Sequence, residues 1–420
     1  MPNYKIYTPR EDSALLEHYV RQYAKNDVLD IGTGSGIQAI TAAHSNKVKS
    51  VLAADIQKST IDHCKKNIKN KKIKFIVSDL FGNINKKFDT IIFNPPYLPN
   101  ELKVKDLTLE GGKKGYEVIE RFLNEANNFL KADGIVLIVF SSLTKKEKVD
   151  EFIKNNLLEF KELDKKHIFF EDLYVYLIKK SAILGKLEKK RIKNIKYFSK
   201  GKRGFIFVGK YNYKKVAIKI KNPESKAILR IDNEIKSLKI LNIKNIGPKL
   251  LFYDNDFLVY EFVDGNGILE FFDSIIKKIS INKYNKKNHN LKNKIKNDKN
   301  KKIVLKIIKK ILNQMFIMDK LKINKEEMSH PQKHILIDKK NNPVLIDFER
   351  AHYTIKPGNV TQFCDFLISN NIKTILKNNN IIINKDKIIN AAKIYKKQQN
   401  KENFNRIIKI IINNCWKINN

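Results

Sequence analysis

The chain has 420 residues, of which 42% are apolar; the length suggests two to four domains and the composition excludes wholesale disorder. Its formal charge of +39 comes from 83 Lys and Arg against 44 Asp and Glu, which by itself points toward nucleic acid. Only 8 of those bases are Arg, the side chain whose bidentate fork reads bases and phosphates. The Lys, Ile and Asn excess therefore looks like codon bias. The charge is also uneven: residues 1–180 hold 30 basic and 24 acidic side chains, and the remainder 53 and 20. Two parts of different character share one chain.

In chain order, Val28–Ile31 is a short apolar strand that ends in a glycine-rich turn, with a helix near Gly36–Ala43. Strand Ser50–Ala54, helix Lys58–Lys69, and strands Ile73–Val77 and Phe88–Phe93 follow, then helix Tyr116–Leu130 and strand Gly134–Phe140. This alternation predicts a parallel sheet with helices on both faces. Glu159–Leu163 and Phe169–Ile178 read as a terminal antiparallel hairpin joined by the charged turn Asp164-Lys-Lys-His.

Chemistry gathers at the carboxyl ends of these strands, where open α/β sheets bind ligands. Asp30 precedes Gly32-Thr-Gly34-Ser-Gly36, a GxGxG turn rather than the GxGxxG of dinucleotide folds. An acid so close to the turn suits a cationic ligand, and S-adenosylmethionine carries an ammonium and a sulfonium. Asp55 ends the second strand, where a carboxylate accepts ribose hydroxyls; it is also placed to cap the next helix. Asp79 with Leu80 follows the third strand, as an adenine contact or a turn. Asn94-Pro95-Pro96-Tyr97 follows the fourth. Two prolines fix that backbone, so the Asn side chain and a neighbouring carbonyl converge on one spot. Two such acceptors grip both N–H groups of a planar amino group, and Tyr97 stacks on it.

These motifs resemble class I S-adenosylmethionine-dependent methyltransferases of the amino-methylating branch. Tyr7-Thr-Pro9-Arg-Glu11-Asp12-Ser13-Ala-Leu-Leu16 resembles the N-terminal segment of HemK-like release-factor glutamine methyltransferases. Gly111-Gly112-Lys-Lys-Gly115 with Ser141-Ser142-Leu143 resembles their archaeal and eukaryotic subtype. The resemblance implies a Rossmann-like class I domain over 1–180. It implies that Ser13, Asp30, Gly32, Gly34, Asp55, Asp79 and Leu80 bind S-adenosylmethionine. It further implies that Asn94, Pro95 and Tyr97 hold a glutamine amide in the GGQ motif of a class I release factor, and that a small activator subunit assists. The rival is an adenine-N6 methyltransferase on DNA or RNA, which uses the same tetrapeptide and flips out its base; the +6 charge of this half disfavours it.

Beyond residue 180, the basic stretch Lys186–Lys196 within 181–196 reads as a linker or a docking helix. Then come Gly201 and Gly204 in a loop, Lys219 in strand Val216-Ala-Ile-Lys, and Glu234 in the helical stretch Glu224–Leu241. The strand Leu258–Val263 leads to Asp264-Gly265, and Asp347 stands at a strand tip. Phosphoryl transfer needs these parts: a loop over phosphates, a lysine held by a glutamate, and an acid for Mg²⁺. From about 195 to 370, within a domain set at 197–420, the chain resembles the small RIO-like protein kinases of archaea, most closely over Ser329-His-Pro-Gln-Lys-His334-Ile, Asp347-Phe-Glu349 and Asn359–Phe363. The resemblance implies a kinase-like α+β domain binding ATP and Mg²⁺. In it Lys219 contacts phosphates, Glu234 pairs with it, Glu261 to Val263 form the adenine hinge, and Asp347 holds metal. The usual catalytic Asp and metal-binding Asn positions hold Ser329 and His334, leaving Glu327 as a substitute base and His334 as a poor Mg²⁺ ligand. An active kinase and a nucleotide-binding pseudokinase both remain open.

Lys/Asn-rich residues 279–302 read as a disordered insertion, with ribosome contact one use for their charge. Residues 371–420 suggest one or two helices. Cys64, Cys364 and Cys415 form no CxxC, which fits a reducing cytoplasm. Met1-Pro-Asn-Tyr-Lys lacks a secretory pattern, and the longest apolar run, Ile135–Phe140, is far below the ~20 residues of a membrane span.

Overall fold

A computed structural model describes residues 7–99, 110–200, 204–221, 230–280 and 290–413. It divides into two compact units: Met1–Tyr197 with Gly209–Tyr211, and Phe198–Val208 with Asn212–Asn420.

The first unit opens with α1 (Glu11–Tyr23), β1 (Asn26–Ile31), α2 (Ile37–His44), β2 (Val48–Asp55), α3 (Lys58–Asn67), β3 (Ile73–Val77) and β4 (Phe88–Phe93). Two short strands, β5 (Leu98–Pro99) and β6 (Glu110–Gly112), precede α4 (Glu117–Phe129), β7 (Leu130–Ser141) and α5 (Lys146–Asn155). The hairpin β8 (Leu158–Ile168) and β9 (Glu171–Lys180) leads to α6 (Ala182–Lys189). Seven strands form one sheet in the order β3-β2-β1-β4-β7-β9-β8. The first five of these are parallel, and β9 runs antiparallel to both β7 and β8. Parallel strands bury both faces, and Val28 to Ile31 and Ile91 to Phe93 are accordingly at most 2% exposed.

The chain leaves β1 toward β2 on one side and, later, β4 on the other, so their carboxyl ends open a crevice. Ile31 lies opposite Phe93. The next residues, Gly32 and Asn94, therefore stand side by side: a Cβ on Gly32 would lie 3.8 Å from the Asn94 carbonyl oxygen. The predicted sheet and terminal hairpin are both present.

The hairpin turns later than its charges suggested. Asp164 to His167 lie within β8, and the turn is Phe169-Phe170. Cross-strand pairs from Lys165 and His167 to Asp172, at 3.0 and 2.9 Å, keep the charged stretch extended. Residues 181–196, expected as a basic linker or docking helix, carry α6 and the start of β10 (Lys193–Lys200). Ser181 caps α6 through the Leu184 N–H, and Leu184 and Leu187 are buried; a helix with a buried apolar stripe packs on its own domain.

The second unit contains β11 (Gly204–Tyr211) up to Val208, β12 (Lys214–Lys221), α7 (Arg230–Asn242), β13 (Leu250–Tyr253), β14 (Phe257–Glu261) and β15 (Gly265–Gly267). Strands β11, β12, β14 and β13 lie side by side in that order. Helices α8 (Ile268–Ser280) and α9 (Asn290–Lys320) follow, then β16 (Ile323–Asn324), hairpin β17 (Ile335–Asp338) and β18 (Pro343–Leu345), and β19 (His352–Tyr353). Helices α10 (Asn359–Ile368), α11 (Asn370–Asn378), α12 (Lys385–Lys397) and α13 (Lys401–Asn413) complete the unit. The core centres on α9, where Val304, Ile308, Ile311 and Leu312 are fully buried.

Of the stretch 279–302 expected as a disordered insertion, 279–280 end α8 and 290–302 open α9, while 281–289 lie outside the described residues. Gly201 and Trp416 lie outside them too. No described helix is long and apolar enough to cross a membrane.

Candidate functional site

A cavity of about 690 Å³ opens over the carboxyl ends of β1, β2, β3 and β4. Gly32, Gly34, Ser13, Asp55, Asp79, Leu80, Asn94, Pro95 and Tyr97 all line it, so the crevice joins nearly every expected site residue of this unit. The glycine turn needs its glycines: Gly32, Gly34 and Gly36 have φ of +65°, +52° and +83°. A Cβ on Gly36 would also come within 2.4 Å of the Ile68 side chain.

Asp55 fixes this turn from the neighbouring strand. One carboxylate oxygen accepts the Gly34 N–H at 3.1 Å and the other accepts the Gln57 N–H at 2.9 Å. Burial raises its pKa, against the pull of those amides. Asp79 is half-exposed at the opposite wall and paired with Arg121 at 2.8 Å. Leu80 holds a positive φ of +45° that turns the chain beneath the cavity.

Asp30 departs from expectation. It does not line the cavity. It is 1% exposed, accepts the Thr33 hydroxyl at 2.6 Å, and takes the Ala39 N–H at the start of α2. It builds the glycine turn from below, and burial pushes its pKa up to about 7. A carboxyl raised on folding stabilises the fold fully below its ordinary value of 3.8, and that contribution is lost as pH rises through the folded value. Relative to Asp30→Asn, the full chain should lose up to ~4 kcal/mol between pH 4 and pH 8. Chemical unfolding of both proteins at the two pH values reads the change, and a constant difference would exclude a neutral Asp30.

Asn94 is the best-defined side chain of the site. Its amide nitrogen donates to Asp12 at 3.1 Å and to the Ser13 hydroxyl at 3.3 Å. Its Oδ1 is buried and has no partner. Asp12 in turn accepts the Tyr7 hydroxyl at 2.7 Å. The amide is thus locked with its acceptor free, and a buried acceptor left free costs roughly 1–3 kcal/mol until something donates to it. Tyr97 is neutral: burial, then the Asp12 and Glu171 carboxylates, raise its phenol far above the ordinary range. Behind the loop, Gly111 lets the 110–115 turn pack closely, since a Cβ there would stand 2.8 Å from the Pro96 carbonyl oxygen.

Ser35 Oγ and Gln57 Oε1 also line the cavity and are buried without partners. Polar atoms of this kind, a glycine turn at a helix start and the Asp55 carboxylate fit a nucleoside-bearing ligand such as S-adenosylmethionine. Tyr7, Asp12, Arg121 and Glu171 were not singled out from sequence. Tyr7 and Asp12 sit inside the stretch that includes Ser13; Arg121 and Glu171 carry no local signal.

Residues 11–170 match the family model described as "Methyltransferase small domain". A putative protein N5-glutamine methyltransferase of Methanocaldococcus jannaschii is 41% identical over 147 residues, spanning 33% of this chain and 74% of that protein. The chain belongs to the HemK-like glutamine methyltransferase family through its first 170 residues or so. The release factor glutamine methyltransferase of Streptococcus pneumoniae is 33% identical over 149 residues, 32% of this chain and 53% of that one. The chain spans about half the length of such bacterial relatives. Among solved structures, the "E. cuniculi Mtq2-Trm112 complex" aligns at 24% identity, over 42% of this chain and 98% of that one, with a TM-score of 0.35. This part of the chain is thus an S-adenosylmethionine-dependent methyltransferase, and the cavity lies at the carboxyl ends of its strands.

The second unit holds a separate constellation. Lys219, on β12, is 8% exposed and forms ion pairs with Glu234 of α7 at 2.7 Å, Asp347 at 3.0 Å and Glu349 at 2.9 Å. Burial alone would lower its pKa, but the Glu234 and Asp347 carboxylates hold it well above the ordinary lysine value. Burial opposes ionisation of Asp347 as well, and Lys219 and Lys325 prevail in keeping it ionised. Oxygens of Glu234, Asp347 and Glu349 lie within 4.8 Å of one another, close enough for a shared metal ion. His334 Nδ1 is 3.7 Å from Asp347. Glu327 is paired with Lys325 at 3.2 Å and Arg350 at 3.9 Å. Gly204 starts β11, where a Cβ would meet the Ile220 carbonyl oxygen at 2.6 Å, so its smallness serves strand packing. Glu261 ends β14, its N–H bound to the Lys249 carbonyl, and Val263 follows in the loop. Asn359, within the stretch Asn359–Phe363, is structural: it is fully buried and bonds Asp319, the Ile323 carbonyl and the Lys325 N–H.

Proposed function

We propose that the first unit methylates the side-chain amide of a protein glutamine, and that its substrate is the GGQ motif of a class I translation release factor. The observation that carries this is the free, buried Oδ1 of Asn94, locked by Asp12 and Ser13. An amide nitrogen is a weak nucleophile because its lone pair is delocalised. Asn94 Oδ1 accepts one of its N–H groups, and the adjoining main-chain carbonyl of Pro95 is the natural acceptor for the other. Holding both orients the nitrogen and steadies the charge that develops on it. Tyr97, kept neutral, covers the planar amide. S-adenosylmethionine supplies an electrophilic methyl group; Gly32, Gly34, Asp55, Asp79 and Leu80 are the residues that hold it. Relatives named as release factor glutamine methyltransferases support the substrate. Adenine-N6 methylation of DNA or RNA fits the tetrapeptide but not the low net charge of this half. A small activator subunit belongs to the same reading and rests on the sequence resemblance.

The second unit we read as a kinase-like module for ATP and Mg²⁺. Its support is the strand order β11-β12-β14-β13 with α7 inserted between β12 and β13, together with the Lys219–Glu234 pair beside Asp347. The carboxylate trio fits a hard divalent cation. Both oxygens of Glu327 face cations, Lys325 and Arg350, which favours nucleotide binding over transfer through Glu327 as base. The test uses the full chain, purified with any subunit that accompanies it. It is incubated with S-adenosylmethionine and a release factor, with and without ATP, and peptides are read by mass. A gain of 14 Da on the GGQ glutamine is expected. Methylation of an oligonucleotide and not of the factor would sink the first reading, and failure to bind ATP would sink the second. Ribosome contact by the basic half is a proposal that a ribosome sedimentation assay checks.

A further inference from the structure

Glu171 opens β9, and its position is unlike that of its neighbour. Successive side chains of a strand point to opposite faces. Asp172 turns to one face, where it is paired with Lys165 and meets His167. Glu171 turns to the other and lines the methyl-transfer cavity. Its Oε2 is buried and has no hydrogen-bond partner. A carboxylate oxygen in that condition is costly unless a ligand donates to it.

Topology says which ligand. The sheet order places β1, β2 and β3, with the glycine turn, Asp55 and Asp79, on one side of β4. Strands β7 and β9 lie on the other. Glu171 therefore stands on the side of Asn94 away from the cofactor residues. It is near enough to Tyr97 for its charge to help keep that phenol protonated. Asn94 and Glu171 line the same cavity, and each has a buried oxygen without a partner, Oδ1 and Oε2.

We propose that Glu171 is a substrate-binding residue that accepts a main-chain N–H of the segment flanking the target glutamine. The inference rests on the glutamine reading above. A glycine-rich segment presents its N–H groups without side chains in the way, so a carboxylate reaches them directly. Asn94 thus fixes the reacting amide and Glu171 fixes the backbone that carries it, at two points rather than one.

Steady-state methylation of a glycine-glycine-glutamine peptide by the full chain tests this. Glu171→Ala should raise the peptide KM about 10- to 100-fold, the range for a hydrogen bond to a charged group. It should leave kcat within about threefold and S-adenosylmethionine affinity unchanged, which also shows the cavity intact. Glu171→Gln, whose amide oxygen still accepts, should fall between. A peptide series with one main-chain N–H replaced by N-methyl at a time completes the cycle. At one flanking position the wild type should lose as much as Glu171→Ala does, and the two losses should not add. An unchanged KM in Glu171→Ala, or additive losses at every position, overturns the role of Glu171. A wild-type enzyme that leaves the glutamine unmethylated overturns the glutamine reading itself.

Discussion

Replacing Asn94 with Ala should lower kcat for methyl transfer by about 10³-fold, while S-adenosylmethionine affinity stays within about twofold. Loss of one preorganised polar partner of a reacting group costs roughly 10²–10³ in rate. The upper end applies because Asn94 is held at both of its donor contacts. Asn94→Asp should be almost as damaging, although it keeps an acceptor oxygen. It puts a second oxygen where the amide nitrogen stood, 3.1 Å from the Asp12 carboxylate, and two carboxylates at that distance repel or share a proton. Single-turnover rates with bound cofactor separate this from a binding defect. An Asn94→Ala enzyme within tenfold of wild type would place the acceptor elsewhere.

Lys219→Met should destabilise the second unit by ~3–5 kcal/mol, the cost of leaving a buried charge unpaired. Glu234 is 1% exposed and meets Lys219 at 2.7 Å; without the lysine, three carboxylates crowd one site. The double variant Lys219→Met/Glu234→Leu should recover a substantial part of that loss, because exchanging a whole buried pair for apolar groups is often near neutral. Hydrogen exchange of α7 and urea unfolding of the full chain report both effects. A single variant as stable as wild type would mean the pair is solvated. The consequence for function is that loss of ATP binding in Lys219→Met alone says little; it must be compared with the stability-restored double variant.

Much of the first unit was legible because local signals agreed with the global fold. Apolar runs of parallel-strand length and glycines with forced backbone angles mark β1 to β4 and the turn after β1. Asn94-Pro95-Pro96-Tyr97 is short, contiguous and stiffened by proline, so its chemistry is written locally. Asp30 misled for a physical reason: spacing from the glycines gives proximity to the ligand loop but not the face, and the side chain points beneath it. Glu171 was invisible because it arrives from a strand 77 residues after Asn94 by numbering, through antiparallel pairing with β7. The hairpin turn was misplaced because charge looks like loop until its cross-strand partner, Asp172, is known. In the second unit Lys219, Glu234 and Asp347 were read as a set by their order along the chain. The third carboxylate on Lys219, Glu349, follows Asp347 by two residues, and only three dimensions reveal that it reaches the lysine.

On the cofactor side of the methyl-transfer cavity Asp79 is paired with Arg121, and it is the Asp55 carboxylate that separates the enzyme's two cofactor states. The incoming molecule carries a sulfonium cation, and the outgoing one is a neutral thioether. The Asp55 carboxylate attracts the first and has lost that attraction for the second. Each turnover thus discharges the very feature that held the cofactor in place, so exchange of spent for fresh cofactor is driven by the field of Asp55, without a moving part.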